Sequence, residues 1–177
     1  MTGLRIKVMT LALMMVASAA GTPVFAASLK VFKHNQLKYS VSYPADFLLK
    51  QLGSGVSFSS PDTDKKFGFA PSVNIVSQKF GSAVPALADF YKKAKEPLVE
   101  RKPPVKIIEE KKDKVAGIDS QRLVYASKEK KANFKFLQQI FIRKGRAYVI
   151  TYTALAEQYD RYLPAAKAII RSFEFND

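Results

Sequence analysis

Residues 134–154 constrain the fold more tightly than any other stretch. Phe134-Lys135-Phe136-Leu137-Gln138-Gln139-Ile140-Phe141-Ile142-Arg143 runs into Lys144-Gly145, and Ala147-Tyr148-Val149-Ile150-Thr151-Tyr152-Thr153-Ala154 returns. Both arms are rich in β-branched and aromatic residues, which suit a pleated, half-buried surface. Gly145 supplies the positive φ that a tight reversal demands. Phe134, Phe136, Ile140 and Ile142 share one parity and so one face of the first arm. Tyr148, Ile150 and Tyr152 do the same in the second. A chain carrying this hairpin builds a mainly antiparallel sheet.

The rest of the inventory is compatible with one packed domain. With 13 Phe and 8 Tyr among 177 residues, the chain can fill a core. It has no cysteine, which excludes disulfides, thiolate metal sites, cysteine nucleophiles and a lipid-modified lipobox cysteine. Lys and Arg number 29 against 15 Asp and Glu, a formal net charge of +14. Such a balance implies an acidic partner: an anionic membrane surface, an acidic protein face or a nucleic acid.

The N-terminus narrows that choice. Arg5 and Lys7 precede an apolar run from Val8 to Ala17, Gly21-Thr22-Pro23 breaks it, and Val24 and Ala26 fit a small-residue cleavage site. Residues 1–26 therefore read as a secretory signal peptide cut after Ala26, leaving residues 27–177 as a single exported domain, periplasmic or extracellular. The apolar run is too short and interrupted for a comfortable membrane span. Losing Arg5 and Lys7, and no acid, takes the formal charge from +14 to +12. Export argues against nucleic acid and points the basic faces towards envelope proteins or lipid headgroups.

Along the mature chain, Val31 to His34 predicts an edge strand, and Lys38 to Tyr43 a strand with Tyr39, Val41 and Tyr43 on one face. Pro44 ends it, Ala45 to Lys50 reads as a loop or a single turn plugged by Phe47, and Val56 and Phe58 face inward on the next strand. Ser60 to Asp64 is a polar turn, and Ser72 to Gln78 alternates again. The period then switches. Leu87, Phe90, Tyr91, Ala94 and Leu98 predict a helix over about 85–98, with Ser82 as its N-cap. Val105 to Lys114 and Ile118 to Ala126 flank an Ala116-Gly117 turn, and Ser127 to Ala132 reads as a basic loop. Tyr159 to Phe173 repeats at helical spacing, but Pro164 predicts a break and a helix starting there. Ser172 to Phe175 predicts a last strand. The order defines an α+β fold, one mainly antiparallel sheet with helices packed against it.

Chemistry is sparse. His34 is the sole histidine and has no nucleophile elbow beside it; it reads as an exposed edge-strand residue. Asp62 and Asp64 read as an ordinary Asx turn rather than a calcium loop. Glu109, Glu110 and Asp113 alternate with Lys111, Lys112 and Lys114, which predicts solvated ion pairs at a hairpin tip. No phosphate-cradling loop occurs. Neither a catalytic nor a metal site, nor any cofactor, is expected. Three basic clusters remain as candidate partner-binding residues: Lys92, Lys93 and Lys95; Lys128, Lys130 and Lys131; and Arg143, Lys144 and Arg146. The second and third fall at opposite ends of one strand.

Several residues, in order, resemble the PsbP-like family, whose founding members are extrinsic proteins of photosystem II. They are Tyr39 and Tyr43-Pro44, Val115-Ala116-Gly117, Arg122-Leu123-Val124-Tyr125, Tyr148, Thr151 and Thr153, Tyr159, and Ile169-Ile170-Arg171-Ser172-Phe173. Where the family carries Gly-Trp after its Tyr-Pro, this chain has Asp46-Phe47. The resemblance implies an α/β/α sandwich and a non-enzymatic accessory role, docking on a membrane-associated complex. The alternative expectation is a carrier of a small apolar or lipid-like ligand in an aromatic-lined cleft between sheet and helix.

Overall fold

The structure is a computed structural model that describes residues 28–53, 55–129 and 131–177. The signal-peptide reading of residues 1–26 and the side chain of Lys130 lie outside them. The elements run β1 (Leu29–His34), β2 (Tyr39–Pro44), β3 (Leu48–Leu52), β4 (Gly55–Ser59), β5 (Ser72–Lys79), α1 (Leu87–Glu100), β6 (Lys106–Val115), β7 (Ile118–Glu129), β8 (Ala132–Arg143), β9 (Arg146–Leu155), α2 (Tyr159–Arg171) and β10 (Glu174–Phe175).

The expected single sheet is two. A seven-stranded antiparallel sheet has the order β3-β4-β5-β9-β8-β7-β6, and a small sheet has the order β1-β2-β10. The small sheet closes because β10 pairs with β2, Glu174 opposite Ser40, a pairing across most of the chain that local pattern cannot reveal. The fold is sheet-dominated α+β in three layers. On one face of the large sheet, Val56, Phe58, Ile75, Leu137, Phe141, Ile150 and Tyr152 pack against α2 and the small sheet. On the other, Leu123, Tyr125 and Ile140 pack against α1 through Tyr91. The parity expected for the central hairpin therefore holds, with both faces covered.

The hairpin tips follow from turn chemistry. Lys144 and Gly145 have φ of 47° and 70°, and Ala116 and Gly117 have 50° and 76°. Positive φ at both central residues is the reversal whose twist matches the flanking strands.

Four local expectations need correction. Leu48 to Lys50 is strand rather than loop, forming an edge ribbon with β4, Leu48 opposite Ser59. Residues 127–129 and 132 are strand too, since β7 and β8 extend until Glu129 faces Ala132; cross-strand pairing carries this polar stretch. Ser82 does not cap α1, because the helix starts later, at an extended Ala86 with no side-chain cap bond. Pro164 lies inside α2 instead of starting it. The ring sits on the exposed face, so water can solvate the carbonyl it leaves unpaired, while Tyr159, Tyr162, Ala166, Ile169 and Ile170 bury the opposite face. Each large apolar side chain so buried contributes roughly 1.5–3 kcal/mol, enough to outweigh the proline.

One irregularity matters for the surface. The β6–β7 register shifts between Ile107 and Glu109. Ile107 pairs with Tyr125 on the α1 face, whereas Glu109 pairs with Val124 on the α2 face. The bulge thus turns Glu109, Lys111, Asp113 and Val115 to the α2 side.

Candidate functional site

The tight β8–β9 reversal sets Arg143 directly opposite Arg146, so their side chains start about 5 Å apart. Pairing of β10 with β2, continued by Asn176 N–H donating to the Lys38 carbonyl at 2.8 Å, brings Asp177 to this tip. Arg143 Nη1 lies 2.5 Å from Asp177 Oδ1, and Lys144 Nζ lies 2.5 Å from Oδ2. The Arg143 guanidinium also stacks on Phe175, 4.0 Å from the ring centre. Arg146 Nη1 donates to Ser77 Oγ at 3.1 Å. Hydrogen bonds from Lys144 and Arg143 hold the Asp177 carboxyl down at about 2. Lys38 and Lys79 complete the cationic rim of a cleft of about 260 Å3. The tip is a carboxylate clamp, and its present occupant is the chain's own Asp177.

The other basic residues do not converge on it. Lys128 and Lys131 are exposed at the β7–β8 tip, the far end of the 12-residue strand β8, about 36 Å away at strand rise. Lys92 and Lys93 are exposed on α1. Lys95 is already engaged, 2.9 Å from Glu110 Oε1 and over the Tyr91 ring at 5.4 Å. Helix α1 links the two tips: Arg101 at its C-terminal end donates to Ser127 and Glu129, and Val84 before its start lies beside Gly145. The structure therefore brings together Arg143, Lys144 and Arg146, and leaves the other two clusters apart.

His34 is half-buried rather than exposed. Its Nδ1 accepts from Leu37 N–H at 3.3 Å, and its ring packs 5.0 Å from Tyr39. Burial, aided by the Arg146 charge, lowers its pKa. Asp64 forms the expected Asx turn, Oδ1 accepting from the N–H groups of Lys66 and Phe67 at 2.9 and 2.8 Å. Asp62 instead reaches α2, accepting from Arg161 at 3.0 Å and from the Tyr162 hydroxyl. Among the described residues, no three of His, Asp and Glu converge as metal ligands, and no helix is long and apolar enough to cross a membrane.

A second cleft, of about 350 Å3, lies where α2 leaves β6, β7 and β8 uncovered. Its wall is a polar row. Ser120 Oγ donates to Gln139 Oε1 at 2.9 Å, and Gln139 Nε2 donates to Asp113 Oδ2 at 2.9 Å. Arg122 stands beside them, its Nη1 3.8 Å from Asp113 and its Nε 3.3 Å from Glu109 Oε1. The alternating charges of β6 are therefore not simply solvated. The row was missed in the sequence, although Arg122 and Gln139 do interrupt inward-facing apolar positions. The bulge that aims Asp113 at them has no sequence signal.

A seven-stranded sheet covered by α1 on one face and by α2 with the small sheet on the other, with charged clefts at a hairpin tip and beside a helix, defines a class of small α+β sandwich proteins. The chain belongs to the PsbP-like family, whose model matches residues 22–175. No curated protein sequence matches it. Its structure is similar to cyanobacterial PsbP (CyanoP) from Synechocystis, with a TM-score of 0.60 at 12% identity, over 90% of this chain and 98% of that one. It is similar to LpqN of Mycobacterium tuberculosis, involved in cell envelope biogenesis: TM-score 0.60, 15% identity, 89% of this chain and 88% of that one. It is also similar to the Saccharomyces cerevisiae Ran-binding protein Mog1p: TM-score 0.57, 9% identity, 86% and 97%. At such identities the likeness establishes the fold.

Proposed function

We propose that this protein is an exported, non-catalytic binding protein that docks on an acidic protein or membrane-complex surface through the β8–β9 tip. One observation carries the reading: Arg143 and Lys144 already grip a carboxylate, with Arg146, Lys38 and Lys79 beside it. A tip that holds the Asp177 carboxylate suits an acidic side chain offered by a partner, since guanidinium and ammonium donors form charge-assisted bonds with either. Family membership, with structural neighbours described as Ran-binding or as involved in cell envelope biogenesis, supports an accessory role. Export rests on the signal-like residues 1–26.

Binding to polyglutamate, a stand-in for an acidic protein face, tests this. Affinity should fall steeply as ionic strength rises, and Arg143→Gln/Lys144→Gln should weaken it about tenfold, while Lys128→Gln leaves it nearly unchanged. Salt-insensitive binding, or equal loss from all three substitutions, would count against the tip. The apolar-carrier reading has one specific observation, the cleft between sheet and α2. Its walls are charged and its floor aliphatic rather than aromatic, which favours a different cargo.

A further inference from the structure

We propose that the cleft between β6–β8 and α2 binds a small organic anion: an oxyanion head on a short aliphatic body. The site is separate from the β8–β9 tip and does not depend on docking there. Lys114, Arg122, Lys167 and Arg171 line the cleft, and Asp113 is the one carboxylate in its lining; behind them Glu109 lies 3.3 Å from Arg122 Nε and Asp119 3.7 Å from Lys114 Nζ. The Asp113 carboxylate is committed to the wall, accepting from Gln139 at 2.9 Å and from Lys114 N–H at 2.8 Å. Its bonds to Gln139 and Lys114, with the Arg122 charge, outweigh burial and hold its pKa down, so it stays a fixed anion of the wall. Arg122 has carboxylates nearby but no hydrogen bond to either. Its Nη1 is 3.8 Å from Asp113, and its buried Nε, 3.3 Å from Glu109 Oε1, is not aligned with it. Lys167 and Arg171 are on successive turns of α2 and make no ion pair among the described residues.

The wall is rigid, because Ser120 and Gln139 are 1% and 4% exposed and bonded to each other. Buried polar groups at this depth of a sheet face are rare unless they serve a site or complete a network, and here the network opens into a cleft. The negative C-terminal end of α2 is softened by Ser172 N–H, Ser172 Oγ and Phe173 N–H, which donate to the carbonyls of Ala168, Ile169 and Ile170, and it is countered by the cations of Lys167 and Arg171. Leu137 and Ile170 give an apolar floor, which sets the aliphatic part of the ligand. The volume lies in the range of about 300–1,000 Å3 typical of small-molecule sites.

The test is a nuclear magnetic resonance titration of the protein with butyl phosphate, butyrate and butylammonium. Saturable shifts of the Gln139 side-chain amide and the Arg122 Nε–H are expected with one or both anions, and none with butylammonium. The stronger anion identifies the head as phosphate or carboxylate. Lys167→Gln/Arg171→Gln should weaken that response about tenfold while signals of the Arg143–Arg146 tip respond as before. If the double variant does not fold, Arg171→Gln alone provides the comparison. Shifts confined to the tip, equal shifts with butylammonium, or unchanged affinity in the folded variant would overturn the proposal.

Discussion

Arg143 shows how one side chain can serve core and surface together. Its guanidinium stands over the Phe175 ring and meets Asp177, so the charge is held in place by packing as well as by its counter-ion. Tyr152 does the corresponding work inside. It is 1% exposed, and its hydroxyl donates to the Tyr159 carbonyl at 2.8 Å, tying β9 to the start of α2. Tyr152→Phe removes that bond without creating a cavity. A loss of about 0.5–1.5 kcal/mol is expected in chemical denaturation; a stability equal to the parent would show that the bond is worth no more than its aqueous counterpart. Residues with local roles were legible in the sequence, as Asp64 in its turn and Gly145 at its reversal show. Residues with distant partners were not. Asp62 meets Arg161 across the fold, and nothing near Asp62 announces it. His34 differs: its partners Leu37 and Tyr39 are near in the chain, but only the β1–β2 pairing folds them against its ring.

Elements were legible where one period ran unbroken. The arms of β8 and β9, and the buried stripe of α2, follow directly from their spacing. The failures are informative. Pro164 argued for a break, yet α2 runs through it because the buried face supplies more than the missing bond removes. Pro164→Ala should restore the bond to the Asp160 carbonyl and stabilise the protein by about 1 kcal/mol or more, read as a raised denaturation midpoint; a lowered midpoint would mean the ring makes contacts that matter. The bulge between Ile107 and Glu109 was invisible, because a period of two looks the same before and after the slip. It nevertheless decides which face receives Asp113, and so whether the α2 cleft has its polar wall. The division into two sheets was hidden for another reason: β10 is two residues long, and its partner β2 lies near the other end of the described chain.

At the scale of the whole molecule, net charge gives the expectation of an acidic partner but not the place where it would meet the protein. Among the described residues, basic side chains stand at both hairpin tips, on α1 and at the α2 cleft as well as elsewhere, and several are neutralised locally, as Lys95 is by Glu110 and Arg101 by Glu129. What distinguishes the β8–β9 tip is geometry: several cations fixed around one carboxylate by strand pairing, by Ser77 and by Phe175. If that carboxylate stands where a partner's would, it competes with the partner. Asp177→Asn keeps the shape of the side chain and removes its charge, so polyglutamate binding measured at graded salt compares the two occupants directly. The variant should bind several-fold more tightly than the parent at low ionic strength, with the difference shrinking as salt rises. Equal or weaker binding by the variant at low salt would contradict docking through this clamp.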